Sequence, residues 1–267
     1  MPVKLPYFDM ILSRLEAGDP EFEEAFWRHT HFGLWEEPEK ANSDQADSIT
    51  AMERMCLFVT ELADIQPGQK VLDVGCGFGG TLASLDQRMS PLQMTGLNID
   101  ERQLSVARKR VVASPGNSID FLQGDACDMD FPEDSFDRVL ATECIFHFPS
   151  RERFFQHVAR VLRPGGNLTL TDFVYPEGVP VGQWDSDESV WGSQVSVDVP
   201  TYLQLAEEAG LELVYVRDIS VQVRPTYHWF GRLLEKHFPG SEQAVLDSRV
   251  VVDVGGLGYC ALRFNRR

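Results

Sequence analysis

The feature that most limits how this chain can fold is a glycine-rich turn that follows a short apolar stretch. Residues 71–80 read Val-Leu-Asp-Val-Gly-Cys-Gly-Phe-Gly-Gly, and a helical pattern comes after them. The apolar residues predict a buried strand, whereas Gly75, Gly77 and Gly79 permit positive φ and place no Cβ between the backbone and a ligand. The stretch therefore predicts an α/β fold in which the first strand–helix turn lies against a nucleotide-like ligand.

Two residues near the turn argue against a dinucleotide, although the glycines also satisfy the G-x-G-x-x-G pattern. Asp73 precedes the first glycine, where a carboxylate repels a pyrophosphate and suits a ligand that carries an ammonium or sulfonium group. The next predicted strand ends at Asn98, where dinucleotide enzymes commonly have an acidic ribose ligand. A dehydrogenase that uses NAD is therefore the weaker interpretation.

The stretch resembles the first motif of the class I S-adenosylmethionine-dependent methyltransferases. Four later segments resemble the other motifs of that family in the same order: 96–100 with Gln103, 124–126, 136–143, and 162–166 followed by an apolar run. An ordered set is far more specific than any one motif. The resemblance implies S-adenosyl-L-methionine as the cofactor.

The fold that the resemblance implies is a doubly wound, Rossmann-like α/β domain with a mostly parallel seven-stranded sheet and an antiparallel edge strand. Alternating helical and strand patterns agree with it. We divide this single domain into an N-terminal helical cap (1–66), a cofactor-binding core (67–173), a lid insertion (174–200) and a C-terminal part with the acceptor pocket (201–267). The patterns predict helices at 7–16, 20–27, 48–65, 200–209 and 227–237 and from near 79, 100 and 150, and strands at 70–74, 92–97, 119–123, 136–142, 167–171, 212–219 and 255–264.

Composition and charge narrow the range of partners. The net charge of −17 disfavours nucleic acids and anionic membranes, which bind clustered Lys and Arg. No apolar stretch has the length of a membrane span, and we expect a cytoplasmic protein, either a monomer or a homo-oligomer. Cysteines 56, 76, 127, 144 and 260 are scattered without a C-x-x-C pair, which predicts free thiols and no metal site.

The resemblance assigns most cofactor contacts to residues at the ends of the predicted strands. The carboxylate of Asp125 is expected to accept from the adenine amine while Ala126 offers its backbone amide, and the alternative for Asp125 is to cap a turn. The expected cofactor contacts are Asp73, Gly75, Cys76, Gly77, Gly79, Asn98, Ile99, Gln103, Asp125, Ala126, Glu143 and Trp35.

A second resemblance lies ahead of the first motif. Residues 31–35, His-Phe-Gly-Leu-Trp, are similar to a His-x-Gly-x-Trp/Tyr signature of small-molecule methyltransferases, a group that includes sugar, macrolide, quinone, tocopherol and sterol enzymes. It implies a segment that folds over the cofactor, with Trp35 closing the site and His31 near the acceptor. The alternative for both residues is plain core packing.

His147 is the candidate general base, because it follows the fourth predicted strand at the sheet edge that faces the cofactor and acceptor. In the small-molecule O- and C-methyltransferases that this stretch resembles, a histidine here is often near the transferred methyl group. Asp172, at the end of the fifth predicted strand, is expected to orient His147 or to bond the acceptor. A packing role for His147 and a turn role for Asp172 are the alternatives.

Aromatic residues gather where the acceptor should enter, which favours an apolar or ring-bearing acceptor over a small polar one. The alternative is that they pack a small core of the lid itself. They are Phe146, Phe148, Phe173, Tyr175, Trp184 and Trp191. His228 is a further candidate acceptor contact. The carboxylates at 185, 187 and 188 lack the oxygen-ligand spacing of a calcium site, so we expect no metal.

These features predict methyl transfer by in-line displacement to oxygen or carbon of a small natural-product or isoprenoid/quinone-type molecule. N-methylation of a small amine is the alternative within the class, since an amine needs no separate base. A catalytically inactive subunit that binds the cofactor is the alternative outside it.

Overall fold

The computed structural model describes residues 5–180, 196–237 and 256–267. Its strands are β1 (Lys70–Val74), β2 (Gln93–Asn98), β3 (Ser118–Gln123), β4 (Phe136–Thr142), β5 (Leu162–Tyr175), β6 (Val197–Asp198), β7 (Leu211–Asp218) and β8 (Gly258–Arg266). They form one mixed sheet in the order β3-β2-β1-β4-β5-β8-β7, with the short β6 paired to β5 beside this path. β8 runs antiparallel to both β5 and β7, and it lies one position in from the edge strand β7, whereas the other described pairings are parallel.

Helices cover both faces of this sheet, and local side chains explain where several of them begin. The carboxylates of Asp44 and Asp100 and the hydroxyl of Ser150 accept hydrogen bonds from first-turn amides. Within the described ranges, every helix is too short or too polar to cross a membrane. The helices are α1 (Pro6–Glu16), α2 (Pro20–Ala25), α3 (Gln45–Leu62), α4 (Gly80–Asp86), α5 (Glu101–Arg110), α6 (Arg151–Val161), α7 (Val199–Ala209), α8 (Ser220–Val223) and α9 (Pro225–His237), with 3₁₀ turns at Pro38–Lys40 and Ile145–His147.

The predicted fold class is confirmed, and most predicted elements differ from the structure by a few residues at their ends. The fifth strand is the exception, because β5 is far longer than the predicted 167–171. It pairs with Phe136 of β4 at its start and with Gly258 of β8 near its end. Asp172 therefore lies inside the strand and not at its end, which corrects the expected position.

Part of the expected lid belongs to the sheet. Val174 and Tyr175 lie in β5 and pair with Val197 and Asp198 of β6. Residues 181–195, which include the predicted acceptor residues Trp184 and Trp191 and the acidic group at 185, 187 and 188, lie outside the described residues.

Alternation along the central strands separates two cores. Leu170 packs into a cluster with Phe155 of α6 and Tyr202 of α7, whereas Val71 packs on the other face with residues of α3, α4 and α5. A third cluster joins α1, α2 and α9. Since neighbouring strand residues point to opposite faces, Asp172 shares the face of Leu170 and Asp73 shares the face of Val71.

Candidate active site

The loop after β1 lies at the carboxyl edge of the sheet and depends on its glycines. Gly75, Gly77 and Gly79 have φ of 68°, 54° and 80°, which only glycine adopts without strain. A Cβ on Gly75 would stand 2.6 Å from the Cβ of Cys144, so the loop also packs directly on the segment after β4. Cys76 is buried next to it. The structure thus brings the predicted loop residues together at one edge.

Asp73 is a buried carboxylate immediately before this loop. It is 2% exposed, and its Oδ2 has no hydrogen-bond partner. Burial, together with negative charge on the nearby sulfur of Cys56, raises the pKa of Asp73 to about 8. The hydroxyl of Thr142, at the end of β4, is likewise buried without a partner. Buried polar atoms normally form hydrogen bonds. A polar or cationic ligand at this sheet edge would supply the partners that these two groups lack.

The end of β2 presents an amide beside an apolar surface. The Oδ1 of Asn98 accepts from the backbone amide of Asp100 at 3.1 Å, and its Nδ2 donates to Oε1 of Gln103 at 3.1 Å. Ile99 between them is 42% exposed. A polar group flanked by an exposed apolar side chain suits a sugar joined to a flat ring.

Asp125 follows β3 and has the turn-capping role considered for it. Its Oδ1 accepts from the amide of Cys127 at 2.7 Å and so caps the turn. Its Oδ2 has no hydrogen bond with the described residues and remains available to a ligand. Ala126 beside it is buried.

Glu143 follows β4 in the left-handed region, with a φ of 52°. Its Oε2 accepts from the backbone amide of Phe32 at 2.8 Å and from the hydroxyl of Tyr259 at 2.5 Å. Burial is the main cause that raises the pKa of Glu143 to about 7. The Tyr259 hydroxyl also lies 3.0 Å from Oγ1 of Thr171, so Glu143 connects β4, β5 and β8 with the N-terminal part of the chain.

Residues 28–35, here called the strap, cross over this edge. The amide of Gly33 donates to Oγ1 of Thr226 at 3.1 Å, and that of Trp35 donates to the carbonyl of Gln222 at 3.0 Å. Thr30 lies close to the glycine loop, since a Cβ on Gly77 would stand 3.0 Å from its Oγ1. The strap is therefore fixed by residues just before and within α9 and covers the loop.

Two strap residues are placed differently from the expectation. The indole of Trp35 is 3% exposed and donates to Oδ2 of Asp47 at 3.0 Å, so the ring anchors the strap on α3. The ring of His31 bonds Cys56 of the same helix. Phe32 is instead the strap residue at the β4 edge.

His147 lies in the 3₁₀ turn after β4, where its Nε2 is 2.9 Å from the hydroxyl of Tyr7 in α1. The two rings are stacked with centroids 5.8 Å apart. Burial, followed by the charge of Glu143, raises the pKa of Tyr7 well above its usual value, so its hydroxyl keeps its proton. Tyr7 adjoins Phe8, whose ring meets Phe78 of the glycine loop edge-on.

An aromatic wall stands between the strap and the sheet. Phe32 contacts Phe173, Tyr227 and Tyr259 at centroid distances of 5.5, 4.9 and 6.0 Å. Phe146 joins it through Phe173 at 5.2 Å.

The other predicted acceptor residues are placed elsewhere. The ring of Phe148 packs on Phe154 of the α6 core, and Tyr175 is buried in β5. His228 is exposed on α9.

A methyltransferase domain family matches residues 72–170 of this chain. Methyltransferase GfsG of Streptomyces halstedii is 35% identical over 206 residues, which are 75% of this chain and 72% of that protein. The chain belongs to the class I S-adenosylmethionine-dependent methyltransferases. The methyltransferase uses S-adenosyl-L-methionine as its cofactor and transfers the methyl group to small molecules.

Other similar proteins include the 27-O-demethylrifamycin SV methyltransferase of Amycolatopsis mediterranei, 30% identical over 209 residues, 77% of this chain and 74% of that one. Among solved structures, the [4+2]-cyclase SpnF has a TM-score of 0.79 at 23% identity and covers 100% of this chain and 98% of that one. A geranyl diphosphate C-methyltransferase from Streptomyces coelicolor, bound to S-adenosyl-L-homocysteine, has 0.77 at 16% identity and full coverage of both. These two likenesses concern the fold alone.

The edge of this methyltransferase fits its cofactor. The buried, unpaired oxygens of Asp73 and Thr142 suit the ammonium of the methionine part, and the open glycine backbone admits it at close range. Asn98 suits ribose hydroxyls, and the exposed Ile99 suits an adenine face.

Asp172 is not placed to orient His147. Its carboxylate is fully buried on the opposite face of the sheet, where Oδ2 accepts from Nη2 of Arg151 at 3.1 Å and from the hydroxyl of Tyr202. Burial raises the pKa of Asp172 even though Arg151 opposes the shift. The group belongs to an ion pair that joins β5 to α6 and α7.

Sequence reasoning missed several residues that build the site. Tyr259, Tyr7 and Cys56 come from segments with no motif, and their roles depend on contacts between distant parts of the chain. Phe32 lies inside the predicted strap signature, which could have indicated it.

Replacing Asp172 with Leu should destabilise the protein by about 3–5 kcal/mol, because it leaves the buried Arg151 without its counter-charge. The double variant Arg151→Met, Asp172→Leu should recover most of this loss in urea unfolding. It should also keep cofactor affinity and turnover. A stable double variant without turnover would give Asp172 a role in the reaction.

Replacing Glu143 with Gln should change how stability depends on pH. The pKa of Glu143 rises from 4.5 to about 7 on folding, so its contribution is present below the lower value and is lost as pH rises through the higher one. Relative to wild type, Glu143→Gln should gain about 1–2 kcal/mol of unfolding free energy between about pH 5 and about pH 8, given its partial exposure. Urea unfolding at both pH values tests this, with the exposed Glu152→Gln as the matched control. The prediction is wrong if the unfolding free energy of each variant, relative to wild type, is the same at both pH values.

Proposed function

We propose that this single-domain methyltransferase methylates a hydroxyl oxygen on an apolar, ring-bearing small molecule, and that Tyr7 and His147 together accept the hydroxyl proton. The observation that carries the proposal is the contact of 2.9 Å between these two side chains at the edge where the cofactor loop lies. The O-methyltransferase relative supports oxygen as the methylated atom.

The cofactor supplies a methyl group on a positively charged sulfur, which an oxygen nucleophile attacks in line. The chain holds the reactants and keeps water away. For holding, we assign Asp73 and Gly75 to the methionine part, Asn98 and Ile99 to the ribose and adenine, and Asp125 to the adenine amine. For exclusion of water, the strap and the first turn of α1 cover the edge.

The geometry of the pair supports a proton path. Tyr7 keeps its hydroxyl hydrogen at neutral pH because its pKa is raised. In the proposed path it donates that hydrogen across the 2.9 Å contact to Nε2 of a neutral imidazole. As the acceptor hydroxyl loses its proton, the oxygen of Tyr7 takes it while the hydrogen of Tyr7 passes to His147. His147 therefore acts as the base through Tyr7.

The wall formed by Phe32, Phe146, Phe173 and Tyr227 supports the proposed acceptor class. Closely packed aromatic rings bind apolar or ring-bearing molecules through area and offset stacking. The net charge of −17 disfavours a nucleic acid as the acceptor. All five cysteines are free and buried, which fits a reducing compartment such as the cytoplasm.

Replacing Asp73 with Asn should weaken S-adenosylmethionine binding by at least about tenfold, since the variant loses the negative charge opposite the ammonium. Isothermal titration with S-adenosylmethionine, S-adenosylhomocysteine and NAD measures it. Wild type should bind the two adenosyl ligands and not NAD. The matched control is Asp86→Asn, whose carboxylate bonds Ser114 and Asn117 away from the loop. Equal affinity for both variants would remove Asp73 from the site.

Replacing Tyr7 with Phe and His147 with Gln should each lower kcat by about 10²–10³-fold toward a hydroxyl acceptor, with cofactor affinity unchanged. The double variant should lose no more than the worse single variant, because the two groups act in one path. Single-turnover kinetics at several pH values measures this. If His147→Gln is slow while Tyr7→Phe is not, His147 acts directly. If neither variant is slower, the proton path is wrong and N-methylation of an amine becomes the better reading.

A further inference from the structure

The strap brings two histidines against a cysteine of α3. The cysteine is too far from the histidines in the sequence for the three residues to form a recognisable metal-binding motif. Nε2 of His31 lies 3.2 Å and Nδ1 of His29 lies 3.5 Å from Sγ of Cys56. These three donor atoms all lie within 4.8 Å of one another, and Cys56 is fully buried. We call this group the His-His-Cys cluster.

The outer nitrogen of each imidazole is already engaged, which fixes how each ring faces the sulfur. Nδ1 of His31 lies 3.0 Å from the carbonyl of Phe32, and Nε2 of His29 lies 3.0 Å from Oε2 of Glu53. Carbonyl and carboxylate oxygens only accept, so the outer nitrogens carry the hydrogens. In the neutral rings, both inner nitrogens therefore direct lone pairs toward Cys56.

Protons can satisfy the cluster only in part or at a cost in charge. A thiol has one hydrogen for the two lone pairs that face it, whereas a thiolate between two protonated rings is fully bonded but places three charges in a buried site. Thr81 is the next polar group, with Oγ1 3.6 Å from Sγ. A single cation among the three atoms would satisfy both lone pairs and the sulfur at once. A carboxylate or carbonyl on the far nitrogen of each ring is the usual outer support of metal-binding histidines.

We propose that the His-His-Cys cluster is a binding site for a borderline-soft divalent metal ion of the Zn²⁺ type. A tetrahedral zinc ion, at ~2.3 Å from sulfur and ~2.0 Å from nitrogen, holds these atoms about 3.5 Å apart. The observed nitrogen–sulfur distances of 3.2 and 3.5 Å match this spacing, and the two nitrogens lie within 4.8 Å of each other. Thiolate and imidazole ligands favour such an ion over Mg²⁺ or Ca²⁺, and Thr81 or solvent completes the fourth position.

The position of the site gives it a structural role. Cys56 belongs to α3, whereas His29 and His31 belong to the strap, so a bound ion would fasten the strap to the sheet-covering helix. The strap also touches the glycine loop here, because a Cβ on Gly80 would stand 2.3 Å from Nδ1 of His29. Metal binding would therefore strengthen cofactor binding by holding the strap in place over the glycine loop. This inference does not depend on the proposed acceptor or proton path.

The test uses the full chain, freed of metal with a chelator and titrated with Co²⁺ as a spectroscopic probe. We expect one equivalent to bind with a thiolate-to-cobalt charge-transfer band and the visible bands of tetrahedral coordination, and one equivalent of Zn²⁺ to displace it. Absence of stoichiometric binding to wild type, or binding without the thiolate band, would overturn the proposal. The cluster would then be a proton-sharing group.

Variants locate the site. Cys56→Ser should abolish the charge-transfer band and weaken metal binding by at least about 100-fold, and Glu53→Gln should weaken it by about 10–100-fold. The matched control is Cys127→Ser, a buried cysteine that bonds the carbonyl of Ser150 and should leave the titration unchanged. Loss of the band in the control but not in Cys56→Ser would refute the assignment. If Cys56→Ser does not fold, the wild-type titration and Glu53→Gln still decide.

Discussion

The carboxylate of Glu143 is the contact on which the covered site depends. It accepts from Phe32 in the strap and from Tyr259 in β8, so one acceptor connects an early segment, the centre of the sheet and its last strand. Losing either donor would leave a polar group unsatisfied where the aromatic wall excludes water, which costs more than the hydrogen bond itself contributes. Glu143 thereby holds Phe32, the strap residue of the aromatic wall, against the sheet, while Thr226, Gln222 and Asp47 hold the rest of the strap.

Much of the fold could be predicted because its signals are local. Strand periodicity and the glycine turn each act over a few residues, and β1 and β4 have the predicted bounds. The cofactor loop could also be predicted, because its positive φ angles require glycines, which form a recognisable pattern in the sequence. β5 was underestimated because Pro164 and the following glycines look like a turn, while pairing with β4 and β8 extends the strand.

The parts that could not be predicted are contacts between side chains distant in sequence. Tyr7 meets His147 across 140 residues, and no spacing rule indicates such a pair. Asp172 shows a different cause, since its position after an apolar run resembled a strand end. Strand alternation places it on the face opposite Phe173, where Arg151 neutralises it. The alternation of buried and exposed faces along a strand is a general rule, but it could be applied to Asp172 only once β5 was known to extend past it.

The strap has a consequence for how the protein assembles. It precedes its partners Gln222, Thr226 and Tyr259 by a long stretch of chain that includes most of the sheet. Contacts of such high sequence separation form late, because closing the long loop between the partners costs conformational entropy before the contacts stabilise the chain. The strap therefore reaches its final position only after β8 has entered the sheet between β5 and β7. A chain synthesised only as far as β5 would carry a glycine loop with no strap fastened over it, so synthesis of the segment from α8 to β8 decides when the site can hold its cofactor.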